Sequence, residues 1–377
     1  MPENGGFADT MKELKLLHAA DLHLDSAFES LSPEDAEARR TGQRDMLYRL
    51  ADAAESLKAD AVLLCGDVFN GIEVEHETAR AFGRAMSALR CPVLIAPGNH
   101  DPYTPYSFWE TANLPANVYV FTNANLECVE LPGTRARFWG AGFQNAFCRP
   151  LLRDFTAPKK RGDMPDVMVL HGDVTQSESA YNAITRDDLV RCGMDYVALG
   201  HIHQRSPLRR AGEVSYAYPG CTEGRGYDET GEKGALFVTI SDGGIETRFI
   251  PLGGVRYEIM TVDVGGRDPF RCVGNAIEGF TKNDCCRIIL RGECEQPPNV
   301  TELRHRFAPL LRELQIHDET TEKMDVWARL GEDNLSGVFS GRLFTKYKEA
   351  KTAEEQHLIE LAARYGLEAI ENGGGPL

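Results

Sequence analysis

Pro92-Val93-Leu94-Ile95-Ala96-Pro97-Gly98-Asn99-His100-Asp101 sets an apolar run directly against a cluster of polar groups. Its apolar run reads as a strand buried on both faces, and Pro97-Gly98 ends it in a loop. Asn99, His100 and Asp101 are therefore delivered at the strand's carboxyl end. The pattern recurs along the chain. Leu14 to Ala20 runs into Asp21-Leu22-His23, and Ala61 to Cys65 into Gly66-Asp67-Val68-Phe69-Asn70. Further on, Asp166 to Leu170 ends at His171-Gly172-Asp173, and Tyr196 to Leu199 ends at Gly200-His201-Ile202-His203. Apolar strands that all end in metal-compatible groups share one simple destination, a two-metal hydrolytic centre.

Helical patterns separate the strands. Ser32-Pro33-Glu34-Asp35 reads as a capped start, with Pro33 in the first turn and acidic groups at the positive end. Met46, Leu47, Leu50, Ala54 and Leu57 then give one apolar face, which should cover a sheet. Glu73 to Leu89 reads as a second helix and Arg186 to Cys192 as a third. His76, inside the second, reads as a surface residue. Strands alternating with helices predict an α/β architecture. The region from Val118 to Phe143, broken by glycine, proline and asparagine, reads as a hairpin-rich second sheet.

The totals bound the function. With 377 residues the chain can form more than one compact domain. A hydrophobic fraction of 42% and a charged fraction of 26% are those of a soluble protein. No apolar run is long enough to span a bilayer and the start lacks a signal-like segment, so a cytoplasmic location without membrane contact is expected. Ten cysteines, single apart from Cys285-Cys286, read as small buried hydrophobes rather than a disulfide framework. A net charge of −16 argues against broad attraction to nucleic acid, although clustered carboxylates can bind cations.

The strand ends define the expected site. One metal would take Asp21, His23, Asp67 and His203; the other would take Asp67, Asn99, His171 and His201, with Asp67 bridging. This mixed nitrogen and oxygen set suits Mn²⁺, Fe²⁺ or Zn²⁺ better than an all-oxygen magnesium site. Two such cations about 4 Å apart can activate a water and stabilise charge on a phosphoryl group. His100 is expected to protonate the leaving oxygen rather than bind metal, with Asp101 orienting or tuning its imidazole. A plain loop cap is the simpler role for Asp101.

Other segments carry less chemistry. Tyr103 to Trp109 is aromatic and reads as packing or loop anchoring, or as a wall for a substrate. Lys159, Lys160 and Arg161 form a modest basic loop. Gly224-Arg225-Gly226 reads as a hairpin connection or a phosphate-facing turn, and Cys221 fits no catalytic thiol pattern. Composition shifts near Pro251 to Arg256. Beyond it, strands alternate with helices in a small module without a comparable ligand cluster, and residues 339 to 365 read as helical, with an apolar face for core or partner.

Taken together and in order, Asp21-Leu22-His23, Gly66-Asp67, Gly98-Asn99-His100-Asp101, His171 and Gly200-His201-Ile202-His203 resemble the calcineurin-like metallophosphoesterase superfamily. The resemblance implies a two-layered β-sandwich flanked by helices, with ligands from loops at the strand ends. Ala20 to Asp25, Tyr218-Pro219-Gly220, Gly224-Arg225 and Gly231-Glu232-Lys233-Gly234 look most like SbcD-type DNA repair exonucleases, in their YhaO-like branch. That likeness implies manganese-dependent cleavage of DNA phosphodiesters, with an SbcC-like coiled-coil ATPase as partner; a homodimer is a further assembly. The expected organisation is a loose leader at 1–13, a phosphoesterase domain at 14–254, a small α+β capping domain at 255–338 and a helical extension at 339–377. Asn70 departs from the Asp or His common in related nucleases. A phosphoesterase for small phosphodiesters or phosphoprotein, and a non-catalytic assembly component, are the alternative functions.

Overall fold

The computed structural model describes residues 13–156, 159–160, 162, 164–176 and 178–371. The expected leader lies outside them apart from Glu13, as does Arg161 of the basic loop. The chain forms two compact units. The first comprises Met1–Ile259, Phe280–Arg287 and Leu310–Glu313; the second comprises Met260–Gly279, Ile288–Pro309 and Leu314–Leu377.

In chain order the first unit begins with β1 (Leu14–Ala19), α1 (Pro33–Ser56), β2 (Ala61–Leu64), α2 (His76–Ala88), β3 (Val93–Ile95), α3 (Phe108–Thr111), β4 (Val118–Val120) and β5 (Glu127–Val129). It continues through β6 (Arg137–Gly140), β7 (Asp166–His171), α4 (Arg186–Cys192), β8 (Tyr196–Gly200), β9 (Arg209–Ala211), β10 (Val214–Ala217), β11 (Gly234–Ser241) and β12 (Gly244–Pro251). Two six-stranded sheets result, ordered β12-β11-β1-β2-β3-β4 and β5-β6-β7-β8-β10-β9.

Period-2 alternation sends each strand's side chains into two cores. Leu16, Leu63 and Leu94 meet Phe138, Val169 and Ala198 between the sheets. On the outer face of the first sheet, Leu17, Val62 and Ile95 pack on Met46, Leu50, Phe82 and Met86 from α1 and α2. Met168, Leu170 and Val197 do the same on the second sheet with Leu189 and Cys192 of α4. This is the expected sandwich flanked by helices, and it explains why the strands read as unbroken apolar runs.

Pairing is parallel along β1-β2-β3-β4 and along β6-β7-β8-β10. The loops after β1, β2, β3, β7 and β8 therefore follow the carboxyl ends of parallel strands. The hairpin-rich second sheet expected from sequence is confined to its edges, where β5-β6 and β9-β10 pair antiparallel. Ser32 caps α1 by accepting from Asp35 N at 3.1 Å. Helix α2 starts later than the sequence suggests, so exposed His76 is its first residue.

The remaining elements are β13 (Arg256–Asp263), α5 (Pro269–Ala276), β14 (Asp284–Arg291), β15 (Glu293–Cys294), α6 (Val300–Phe307), β16 (Glu313–Asp318), β17 (Thr321–Glu322), α7 (Leu335–Glu349) and α8 (Ala353–Glu371). They make an α+β region with a three-stranded sheet β13-β14-β16. The helical stretch read at 339–365 is two helices. Part of its apolar face is used within the second unit, where Phe344 and Tyr347 pack on Trp327 at 5.1 and 5.3 Å between ring centroids. All ten cysteines are free thiols, six of them buried. Among the described residues no helix is long and apolar enough to cross a membrane.

Candidate metal centre

The loops after β1 and β2 continue the strands' pairing beyond their ends. Asp21 N donates to Gly66 O at 3.1 Å and His23 N to Asp67 O at 2.9 Å, which places the two ligand loops side by side. The backbone here is unusual. Asp21, His23, Asp67 and His201 have φ values of 52°, 45°, 50° and 104°, in a region that L residues rarely adopt. Such strain persists where surrounding contacts over-determine it, and it clusters at functional sites. Close approach adds a second constraint: a Cβ on Gly98 would lie 2.2 Å from Asp67 Oδ1.

Asp67 sits between two imidazoles. Its Oδ2 is 3.8 Å from His23 Nε2 and 3.4 Å from His171 Nε2, while Oδ1 accepts from His100 N at 2.9 Å. Three groups bring ligand atoms within 4.8 Å of one another: Asp21, His23 and His203; Asp21, Asp67 and His171; and His23, Asp67 and His100. Asp67 and Asp21 each enter two of them. Asn99 Oδ1 completes the neighbourhood at 2.9 Å from His171 Nε2. His201 is in none of the three groups. Its ring stands edge-on to His171 at 5.1 Å, and its backbone N–H donates to both oxygens of Asp21 at 3.0 and 3.1 Å.

The tautomers test whether cations fit. His23 Nδ1 is 3.2 Å from Asn70 Oδ1, and His203 Nδ1 is 2.6 Å from Glu229 Oε1, so each Nδ1 carries the donated hydrogen. Their Nε2 lone pairs then face each other 3.1 Å apart. His171 repeats the arrangement, since Nδ1 donates to Cys65 O at 2.9 Å and Nε2 faces the Asn99 oxygen. Opposed acceptors at such distances require a proton or a cation between them. The donor set of imidazoles, carboxylates and one amide oxygen suits divalent transition metals.

The electrostatics agree. Burial would lower His171, but the Asp67 carboxylate outweighs it and raises the imidazole to about 9. Burial would also lower His203, yet the hydrogen bond to Glu229 raises it. Asp67 is opposed by burial and pulled below its ordinary value by His171 and His23. Burial lifts Asp21 to about 6 and drops His23 to about 3. Protons are thus held at His171 and His203, where cations would displace them.

Asp101 takes the simpler of the two roles read from the sequence, that of a loop cap. Its carboxylate accepts from four backbone amides, those of Asp67 at 3.1 Å, Val68 at 2.9 Å, Phe69 at 3.2 Å and Gly98 at 2.8 Å. It pins the Asp67 loop to the Gly98 turn. Trp109 Nε1 donates to Asp101 O at 2.7 Å, and the aromatic segment behind it packs with Phe69 and Phe82. Phe108 and Trp109 anchor the segment, whereas Tyr106 within it is exposed. The His100 side chain is exposed, with its ring 4.8 Å from that of His23.

Three contributors escaped the sequence reading. Glu229, buried, orients His203 and is itself held by Arg225 through its backbone N–H at 2.9 Å and its guanidinium at 2.8 Å. Asn182 Nδ2 donates to His171 O at 2.9 Å. Arg39 of α1 donates to Gly224 O at 2.7 Å, which fixes the Arg225 turn. A cleft of about 250 Å³ lies beside this turn, lined by Ser26, Phe28, Asn70 and Arg225 among others. Cys221 is buried and pushed up to about 12, which suits a core thiol. Lys160 of the basic loop pairs with Asp195 at 2.5 Å.

The sequence profile of the calcineurin-like phosphoesterase family matches residues 14–205. The uncharacterized metallophosphoesterase YhaO of Bacillus subtilis is 33% identical over 302 residues, covering 75% of this chain and 72% of that one. The DNA double-strand break repair protein Mre11 of Methanopyrus kandleri is 23% identical over 278 residues, 67% of this chain and 60% of that one. The SbcD polypeptide of the Escherichia coli K12 nuclease SbcCD is 24% identical over 277 residues, 62% of this chain and 67% of its own.

Proposed function

This chain belongs to the calcineurin-like phosphoesterase family, and from that premise we propose that it is a manganese-dependent nuclease that hydrolyses DNA phosphodiesters. The observation that carries the reading is Asp67 Oδ2, placed between His23 and His171 so that one carboxylate can serve two cation sites. Asp21, His23, Asp67 and His203 would hold one cation, and Asp67, Asn99, His171 and His201 the other. Manganese is proposed first, with iron and zinc as the alternatives. Bound divalent cations supply Lewis-acid polarisation of the phosphoryl group and a water acidic enough to attack it.

The chain's own residues do the rest. Asn70, Glu229 and the Cys65 carbonyl fix the ring nitrogens that face the centre. Asp101 holds the Asp67 loop. His100, exposed beside His23, would give a proton to the leaving oxygen. Relatives named for the SbcCD nuclease and for Mre11 support DNA as substrate and an SbcC-like partner; the segment from 255 onward would serve as cap and docking region. The net charge of −16 favours a second reading, hydrolysis of a small phosphodiester.

The test is cleavage of end-labelled and internally labelled linear DNA by metal-stripped protein resupplied with Mn²⁺, Mg²⁺ or Zn²⁺. Manganese-dependent products are expected. Hydrolysis of an aryl phosphodiester with intact DNA would shift the assignment to the second reading.

A further inference from the structure

Phe147 is an exposed large apolar side chain, 62% accessible. It does not stand alone. Its ring stacks on Tyr181 at 6.0 Å between centroids and 29° between planes, and Tyr181 in turn lies against His201 at 5.0 Å and 37°. Three rings, the first pair stacked and the second tilted, thus step from solvent to one of the proposed ligands.

Backbone hydrogen bonds join the two segments that carry the ladder. Cys148 N donates to Ala180 O at 2.9 Å, and Asn182 N donates to Cys148 O at 2.9 Å, so the segments carrying Phe147 and Tyr181 are paired like short strands. Asn182 is itself tied to His171 O, which registers the ladder to the centre. An aromatic held in water by backbone hydrogen bonds forfeits burial that a small rotation of a looser loop would recover.

Resting on the phosphodiester reading of the centre, we propose that Phe147 with Tyr181 behind it is a stacking subsite for a nucleobase flanking the phosphate at the metal site. The occupant follows from continuity and charge. Whatever lies on the ladder must be joined to a phosphoester at the centre, and an uncharged planar face selects a planar ring rather than a phosphate. A chain of net charge −16 gains little from the phosphate backbone, so stacking would carry an unusual share of the affinity.

The test is calorimetric titration, in Mn²⁺, of 2′-deoxyadenosine 5′-monophosphate and 2-deoxyribose 5-phosphate into the wild type, Phe147→Ala and Phe147→Trp. The base-bearing ligand should bind the wild type about tenfold more tightly. That ratio should fall to near one in Phe147→Ala at unchanged melting temperature and persist in Phe147→Trp. Equal affinities in the wild type, undetectable binding of both ligands, or an unchanged ratio in Phe147→Ala would overturn the proposal. Retained base preference without DNA cleavage would sink the nuclease assignment and leave the subsite standing.

Discussion

His203 Nδ1 lies 2.6 Å from Glu229 Oε1, and the same carboxylate receives the Arg225 guanidinium at 2.8 Å. Burial opposes ionisation of Glu229, but the hydrogen bonds from His203 and Arg225 hold it well below the usual carboxylate range. It therefore stays charged and commits His203 to one tautomer, with Nε2 free for a cation. Partners of this kind orient ligands and raise their basicity. Glu229→Gln should weaken binding of one cation roughly 10- to 100-fold while leaving the second site's affinity near wild type. Calorimetric titration with Mn²⁺ checks this, and equal weakening of both sites would show that Glu229 acts on the fold instead.

His100 is exposed and borders the centre, whereas its backbone N–H carries the structural contact to Asp67. Truncating the side chain leaves that contact in place. His100→Ala should lower turnover by about 10²- to 10⁴-fold with cation stoichiometry unchanged. The loss should shrink for aryl leaving groups that need no protonation. A uniform loss across leaving groups would argue against proton donation.

Asp101 gathers four buried amides with one carboxylate. Asp101→Ala strands those donors, and the expected destabilisation is on the order of 3 kcal/mol. Denaturant unfolding measures it. Asp101→Asn keeps one carbonyl acceptor and should fall between the two; stability equal to wild type in the alanine variant would remove the loop-pinning role.

His18 crosses from β1 to β8, with Nδ1 accepting from Tyr196 Oη at 2.9 Å and Nε2 donating to Leu199 O at 3.1 Å. Burial pushes its pKa from 6.5 down to about 3, against the Leu199 hydrogen bond. The unfolded chain therefore binds a proton that the folded chain refuses. Its contribution to stability is complete above pH 6.5 and declines as pH falls toward 3, by about 1.4 kcal/mol per pH unit for one proton. His18→Gln should flatten the acid limb of the stability curve across that window. An unchanged slope would place the acid sensitivity elsewhere.

The sandwich strands were legible because burial on both faces leaves long apolar runs such as Ala61–Leu64, and the ligands because each run stops at a polar residue. Strand order was not. The hairpin reading holds for β5 and β6, yet β6 leads into parallel β7. Strand β12 escaped notice because charged Glu246 and Arg248 interrupt an edge strand whose faces are only partly buried. Glu229 follows no strand, and its partner is 26 residues away, so only folding reveals it. Asn70 was visible as a departure from related nucleases; its use, fixing His23 Nδ1, needed coordinates.

One carboxylate, Asp67, would join two cation sites. Equilibrium loading of metal-stripped protein with Mn²⁺, counted by elemental analysis against protein concentration, tests it directly when wild type and Asp67→Asn are compared at matched melting temperature. Two ions per chain are expected for the wild type, with both sites weakened together in the variant. A single ion in the wild type, or a variant that loses one ion and keeps the other at full affinity, would contradict the account.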